Sequence, residues 1–172
     1  MNAPVRKTVR PPTIIEKVEN ALLDQLAGKL NEKGRRVGGS IPLWVDVEAW
    51  PEDPKDFDFS GKQGALLIHY SGSRFAEPEG LSTNQTRAMS WSMVLMTRSL
   101  NGEKGAYAVL EDIRQALQGF GAEGGGPIRM VSDELTAEQE GVWEWRIVVA
   151  LPIAAVAKRP ASRPSPVFQN AT

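Results

Sequence analysis

The stretch 86–98, TRAMSWSMVLMTR, alternates in side-chain character along most of its length. The odd-numbered positions from Met89 to Leu95 are large and apolar, whereas the residues between them begin small. Successive side chains of a β-strand point to opposite faces of the sheet, so this period of two predicts a long strand whose Met–Trp–Met–Leu face packs on the core. The small side chains of the other face would admit a close neighbour, from the same chain or from another.

Four further strands are predicted around this one. Residues 43–50 alternate between an apolar face and a face of tryptophans and acids, which indicates a strand with one side on the core. Residues 64–70 are apolar on both faces, which favours a central strand. Residues 128–133 and 142–151 are predicted strands separated by a polar turn at 136–141. Because no crossover helix fits between them, they are expected to pair as a hairpin.

Two amphipathic helices are also predicted. Thr13 and Glu16 fit a capping box, in which each side chain satisfies an early backbone N–H group. A four-residue repeat of apolar side chains follows, and Gly34 suits the C-terminal cap, which predicts a helix over 13–33. A second apolar repeat predicts a helix over about 103–118.

The predicted order is helix, three strands, helix, two strands. This order favours an α+β fold with a mainly antiparallel sheet of about five strands and two helices packed on one face. The second helix is either a right-handed crossover or a simple return of the chain to a sheet edge. Residues 13–153 are predicted to form a single domain, with a flexible basic arm at 1–12 and a flexible Pro-rich basic tail at 154–172.

Composition restricts the chemistry that this chain can perform. Its 172 residues include no cysteine and a single histidine, His69, and its 20 basic and 21 acidic side chains leave a net charge of -1. Thiol catalysis, cysteine-based metal sites and sites with two imidazoles are therefore excluded. The balanced charge argues against a general nucleic-acid binder. No apolar run approaches the ~20 residues of a membrane-spanning helix.

No motif indicates a catalytic, cofactor or metal site. Asp53, Asp56 and Asp58 lie in an acidic loop at 51–63 whose oxygens suit calcium, but their spacing is not that of an EF-hand, so a solvated loop is favoured. No Gly-x-Ser-x-Gly elbow accompanies His69. The Gly-rich segments do not open a helix as phosphate-binding loops do. The basic chain ends are interpreted as solvated termini rather than as a nucleic-acid site.

Two features point to contacts with other proteins. Trp44 and Trp50 fall on the strand face that also carries acidic residues, and interface and core interpretations are equally open for them. The connection Ser71–Gln85 is long for a compact domain, which is typical of a functional loop.

The succession of segments resembles a known family of phage proteins. The segments that carry the likeness are, in order, IIEKVENAL at 14–22, Trp50-Pro51 with its acidic loop, GALLIHY at 64–70, QTR at 85–87 before the long strand, the helix from Gly105 to Leu117, and WEW at 143–145. Together they resemble the Gp37-like proteins of Mu-like phages and prophages, and more distantly the tail terminator or minor tail U-like proteins of long-tailed phages. The likeness covers about residues 13–153.

The resemblance implies a structural role without catalysis or cofactor. Tail terminators assemble as a ring, commonly a hexamer, on the end of the tail tube, where they stop polymerisation and present the surface that joins the tail to the capsid connector. The implied partners are further copies of this chain, the tail tube protein and the head–tail connector, with no membrane. Genomic DNA would pass through the lumen without specific binding. The implied location is the tail or neck of a virion, assembled in the host cytoplasm.

A ring subunit needs two different, complementary patches. An acidic loop and a basic segment would complement each other, and the long loop is expected to contact the tube or the connector. The candidate interface residues are Trp44, Trp50, Asp53, Asp56, Asp58, Arg35, Arg36, Arg74, Phe75 and Glu77. Two alternatives stay open: another neck or baseplate adaptor, and a small enzyme that uses carboxylates.

Overall fold

The computed structural model describes residues 10–78, Gly80 and residues 84–156. Most of the predicted arm and tail therefore lies outside the described residues. The elements are, in order, α1 (Ile14–Ala27), β1 (Gly28–Leu30), β2 (Arg36–Gly38), β3 (Val45–Ala49), a short 3-10 turn (Pro54–Asp56), β4 (Gly64–Phe75), β5 (Gln85–Thr97), α2 (Ala106–Leu117), β6 (Arg129–Gln139) and β7 (Val142–Ala155).

The main sheet has five strands in the order β3-β4-β5-β7-β6, and β1 and β2 form a separate two-stranded hairpin. All pairs in the main sheet are antiparallel except β3–β4, which is parallel. The fold is α+β, with two helices and a mostly antiparallel sheet, which confirms the predicted class. The predicted hairpin of the last two strands is also present as β6–β7.

The connection from β5 through α2 to β6 is a crossover that also carries the chain to a sheet edge. β5 and β6 each pair antiparallel with β7, so they run in the same direction with β7 between them. The helix thus carries the chain past one strand position and delivers it to the sheet edge. β7 then runs in the opposite direction and occupies the position between β5 and β6.

The predicted first helix begins correctly but ends too late. Thr13 and Glu16 form the predicted capping box, with the Glu16 amide 3.2 Å from the Thr13 hydroxyl. The helix stops at Ala27, because Gly28 adopts a φ of 90°, outside the helical region. A side chain at residue 28 would also collide with the Val37 backbone of the facing strand. Leu30, expected on the apolar stripe, is exposed on the β1–β2 hairpin.

Two predicted loops are partly strand. β4 continues to Phe75 after a bulge between Tyr70 and Gly72, so the connection to β5 is shorter than the expected Ser71–Gln85. β6 continues to Gln139 through the segment predicted as a polar turn. The turn itself is the pair Glu140-Gly141, whose φ angles of 51° and 75° suit a two-residue hairpin loop.

One face of the sheet packs under both helices. α1 lies over β3 and β4, and α2 lies over β5 and β6. The alternating face predicted for β5 is confirmed, since Met89, Trp91, Met93 and Leu95 are fully buried. The same core takes one face of β4 and β7 and the inner stripes of the helices: Val18, Leu22, Leu26, Leu66, Ile68, Val109, Ile113, Leu117, Ile147, Val149 and Leu151.

The acidic loop 51–63 covers part of the opposite face. A parallel β3–β4 pair requires a connection that returns to the start of the next strand, and this loop supplies it without a helix. Trp50 lies against His69 and Lys62 pairs with Asp46, both on the face away from the helices. Leu67 on that face is accordingly only 1% exposed.

Paired methionines on β5 test this arrangement. Met93→Ala is expected to lower the free energy of unfolding by about 2–5 kcal/mol, because it leaves a cavity under the helices. Met96→Ala is the matched control on the half-buried opposite face and is expected to cost less than half as much. Urea unfolding followed by circular dichroism measures both, and equal losses would contradict the assignment of the two faces.

Candidate assembly surfaces

The residues predicted for subunit contacts fall in three places. Trp44 directly precedes β3, and Trp50 and the three aspartates follow it. Arg35 and Arg36 belong to the β1–β2 hairpin. Arg74, Phe75 and Glu77 lie at and beyond the end of β4. The structure therefore does not gather them into one surface.

The two tryptophans of the first group have different environments. β3 begins at Val45, so the alternation does not extend back to Trp44. The Trp44 ring packs against the core and over Gly64, where a Cβ atom would approach it to 2.6 Å. Trp50 is 36% exposed, and its ring meets His69 edge-on with 5.3 Å between ring centroids. Leu43, predicted on the core face, is instead 90% exposed.

Two aspartates of the acidic loop, Asp53 and Asp58, stabilise its own conformation. Asp53 accepts a hydrogen bond of 2.9 Å from the Lys55 amide at the start of the 3-10 turn. Asp58 accepts bonds from the amide and hydroxyl of Ser60, which lower the pKa of its carboxyl. Arg98 lies 5.0 Å from the Phe59 ring centroid and donates to the Lys62 carbonyl, which fastens the loop to the sheet.

A hollow of about 750 Å³ remains between this loop and the tip of the β6–β7 hairpin. Phe59 and Met96 line it together with Asp58 and Glu144. It is wide open to solvent, and the Arg98 in its wall is already engaged by the loop. We therefore regard the hollow as a gap between two surface features.

The β1–β2 hairpin is basic and projects from the β3 side of the molecule. Arg36 is half-buried, pairs with Asp24 at 2.7 Å and donates to the Gly28 carbonyl. Lys29, Lys33 and Arg35 are exposed, and none of the three has an ion pair among the described residues. We call residues 28–38 the basic hairpin.

A polar cluster organises the far end of β4, where the strand extends beyond β3. The Arg87 guanidinium donates to the Ser73 hydroxyl at 2.7 Å and to the Tyr70 hydroxyl at 2.9 Å. Burial opposes ionisation of Tyr70, but these bonds outweigh it and lower its pKa. The guanidinium also lies 5.6 Å from the centroid of the exposed Phe75 ring, so Phe75 is held in place at this end.

Sequence reasoning missed a fourth feature, the outer edge of the sheet. Asp133, Glu134, Glu138 and Glu140 are all exposed along β6 and its turn. Val131 and Leu135 beside them are 50% and 48% exposed. The signal in the sequence is the absence of any basic residue between 130 and 145, and it marks a sheet edge because β6 extends through the predicted turn to Gln139. We call residues 131–140 the acidic edge.

Within the described ranges, no group of His, Asp and Glu side chains is arranged to hold a metal ion. Neither α1 nor α2 is long and apolar enough to cross a membrane. The acidic loop, suggested as a calcium site in one interpretation, does not form such a group.

Residues 35–172 match the family model described as Gp37 protein. No curated protein matches the chain. Among solved structures, the chain is similar to one from the virion of a native gene transfer agent particle, with 12% identity and a TM-score of 0.43 over 66% of this chain and 80% of that chain. A likeness at this level does not assign a role.

His69 provides a test of the face of the sheet away from the helices. Burial lowers the pKa of His69, and the positive charge of Arg146 lowers it further. The pKa of His69 in the folded state therefore lies below the unfolded value of about 6.5. The contribution of His69 to the free energy of unfolding is complete above that pH and is lost as pH falls through the folded-state pKa.

Because His69 is the sole histidine, its NMR titration is unambiguous. We expect a midpoint below 6.5 that rises in Arg146→Met and stays unchanged in the control Arg129→Met. A midpoint at or above 6.5 in the unmodified chain would contradict the buried position of the imidazole.

Proposed function

The chain belongs to the Gp37 protein family, and on that premise we propose that it is a structural protein of a phage-like virion that terminates the tail. In this role, copies of the chain form a ring, expected to be a hexamer, on the end of the tail tube. The ring stops tube polymerisation by occupying the surface that the next ring of tube protein would use. It also provides the surface that joins the tail to the capsid connector.

The observation that carries this proposal is the apolar exposure at both lateral margins of the sheet. Leu43 and Val37 are exposed on the β3 side, and Val131 and Leu135 are exposed on the β6 side. Exposed apolar side chains at free strand edges favour association with another chain. A subunit with a neighbour on each side would cover both margins, which a monomer or a two-fold dimer would not do.

The far end of β4 is the proposed contact with the tube or the connector. Arg74, Phe75 and Glu77 are exposed there, and Arg87 holds the Phe75 ring in place. This end extends beyond β3, so ring contacts at the lateral margins would leave it accessible. The contact with the tube or the connector, expected from the sequence for the whole segment Ser71–Gln85, is thus proposed for this end of β4 alone.

Tail length tests the proposed function. Tails assembled without this protein are expected to contain tubes of irregular and excessive length, because nothing stops polymerisation. Electron microscopy of tails made with and without the protein measures the length distribution. Tubes of normal length that fail to join capsids would instead indicate a neck adaptor, and normal joined tails would overturn the proposal. Native mass spectrometry of the protein on tube ends counts the copies in the ring.

The contact proposed for the β4 end has its own test. Phe75→Ser combined with Arg74→Ser is expected to leave the protein folded and ring-forming, but to reduce the yield of joined particles about tenfold or more, because an anchor side chain is lost. Glu111→Ser combined with Arg114→Ser, which removes an exposed ion pair from α2, is the matched control. Equal particle yields from both variants would exclude this end from the contact.

A further inference from the structure

We propose that the basic hairpin of one copy docks against the acidic edge of the next copy, which makes these two surfaces the repeating interface of the ring. This inference rests on the proposed function and names the surfaces that meet. It differs from a pairing through the acidic loop 51–63, where Asp53 and Asp58 are already engaged in the loop's own hydrogen bonds.

The charges of the two surfaces are complementary. The basic hairpin carries Lys29, Lys33, Arg35 and Arg36 against one acid, Glu32. The acidic edge carries four carboxylates and no base within 131–140. Of these four carboxylates, only that of Glu134 forms an ion pair within the described residues, a contact of 3.6 Å with Arg146. Both surfaces thus hold charges that a neighbour of opposite sign would satisfy.

The positions of the two surfaces suit a head-to-tail contact. β6 is the last strand at one side of the main sheet, and its outer side pairs with no other strand in the described part of the chain. The basic hairpin continues from α1, which lies over β3 and β4 at the other side. The width of five strands, roughly 19 Å at about 4.8 Å per step, separates the two sides. A subunit with unlike patches on opposite sides forms heterologous contacts that can close into a ring.

The same charges argue against the competing contact. Two copies of β6 could pair edge to edge in a two-fold dimer, because both edges present free backbone groups. That arrangement would place Asp133, Glu134 and Glu138 against the same carboxylates of the partner, and facing like charges are destabilising. The acidic edge therefore disfavours pairing with a second acidic edge and favours a basic partner surface.

Apolar residues complete the match. Val131 and Leu135 are exposed on the acidic edge, and Leu30 and Val37 are exposed on the basic hairpin. An apolar centre surrounded by charged side chains is the common anatomy of a protein interface. The basic hairpin and the acidic edge thus each combine exposed apolar side chains with charged ones, and their charges are opposite in sign.

Engineered cysteines test the contact directly, since the chain has none of its own. In a mixture, Leu135→Cys and Val37→Cys chains are expected to cross-link with a short bismaleimide into heterodimers, and a chain with both changes into a ladder of oligomers. The control pairs Val37→Cys with Phe75→Cys, an exposed position at the far end of β4, and should give no product. Cross-linking of Leu135→Cys chains to one another would overturn the proposal in favour of the two-fold dimer.

Charge reversal provides the second arm. Asp133→Lys with Glu138→Lys, or Lys33→Glu with Arg35→Glu, is expected to reduce cross-linking about tenfold or more in either case. Mixing the two reversed chains should restore it, because each then offers the other a complementary surface. Absence of restoration, with both chains folded by circular dichroism, would overturn the proposal.

Three further outcomes separate this inference from the function on which it rests. The cross-linking is done on the free protein and on tube ends. Rings that form without the cross-link between the Leu135→Cys and Val37→Cys positions would place the interface elsewhere and leave the proposed function intact. Failure to form rings even on tube ends would overturn both. A cross-link that is absent in the full chain and appears only on deletion of residues 158–172 would show that the basic tail, rather than the hairpin, occupies the acidic edge.

Discussion

The buried face of β5 under the two helices is the interaction on which the rest of the structure depends. Trp91 lies at its centre, fully buried and 5.5 Å from the Tyr70 ring centroid. Its indole N–H has no hydrogen-bond partner among the described residues, which costs roughly 1–3 kcal/mol. Burial of the ring contributes about 4–6 kcal/mol, so the packing gain exceeds this cost. The sheet order follows from the same requirement, because β4 and β7 flank β5 with matching apolar faces.

The opposite face of the sheet is covered by a loop rather than by helices. It has no helix among the described residues, and the loop 51–63 covers part of it through Trp50, Phe59 and the Lys62–Asp46 pair. The acidic loop is thus part of the scaffold. Two of its carboxylates, Asp53 and Asp58, stabilise the loop's own turns, and the exposed apolar side chains lie at the lateral margins of the sheet.

The two margins differ in charge because different elements build them. A hairpin inserted after α1 adds a basic surface to the β3 side, whereas a long edge strand makes the β6 side acidic. The net charge of -1 conceals this separation. Opposite charges on opposite sides favour association of identical chains in one direction, which is the geometry that a ring requires.

The sequence by itself determined the strand and helix periods, the α+β class, the capping box at Thr13 and the inward face of β5, because these depend on alternation and on local hydrogen bonds. Tertiary structure decided what depends on a partner far along the chain. α1 ends at Gly28, whose φ of 90° is outside the helical region and whose facing strand leaves no room for a side chain, and the polar segment 136–139 becomes strand because β7 pairs with it. The acidic edge arises from that pairing, so the candidate interface could be recognised only once the register of β6 was known.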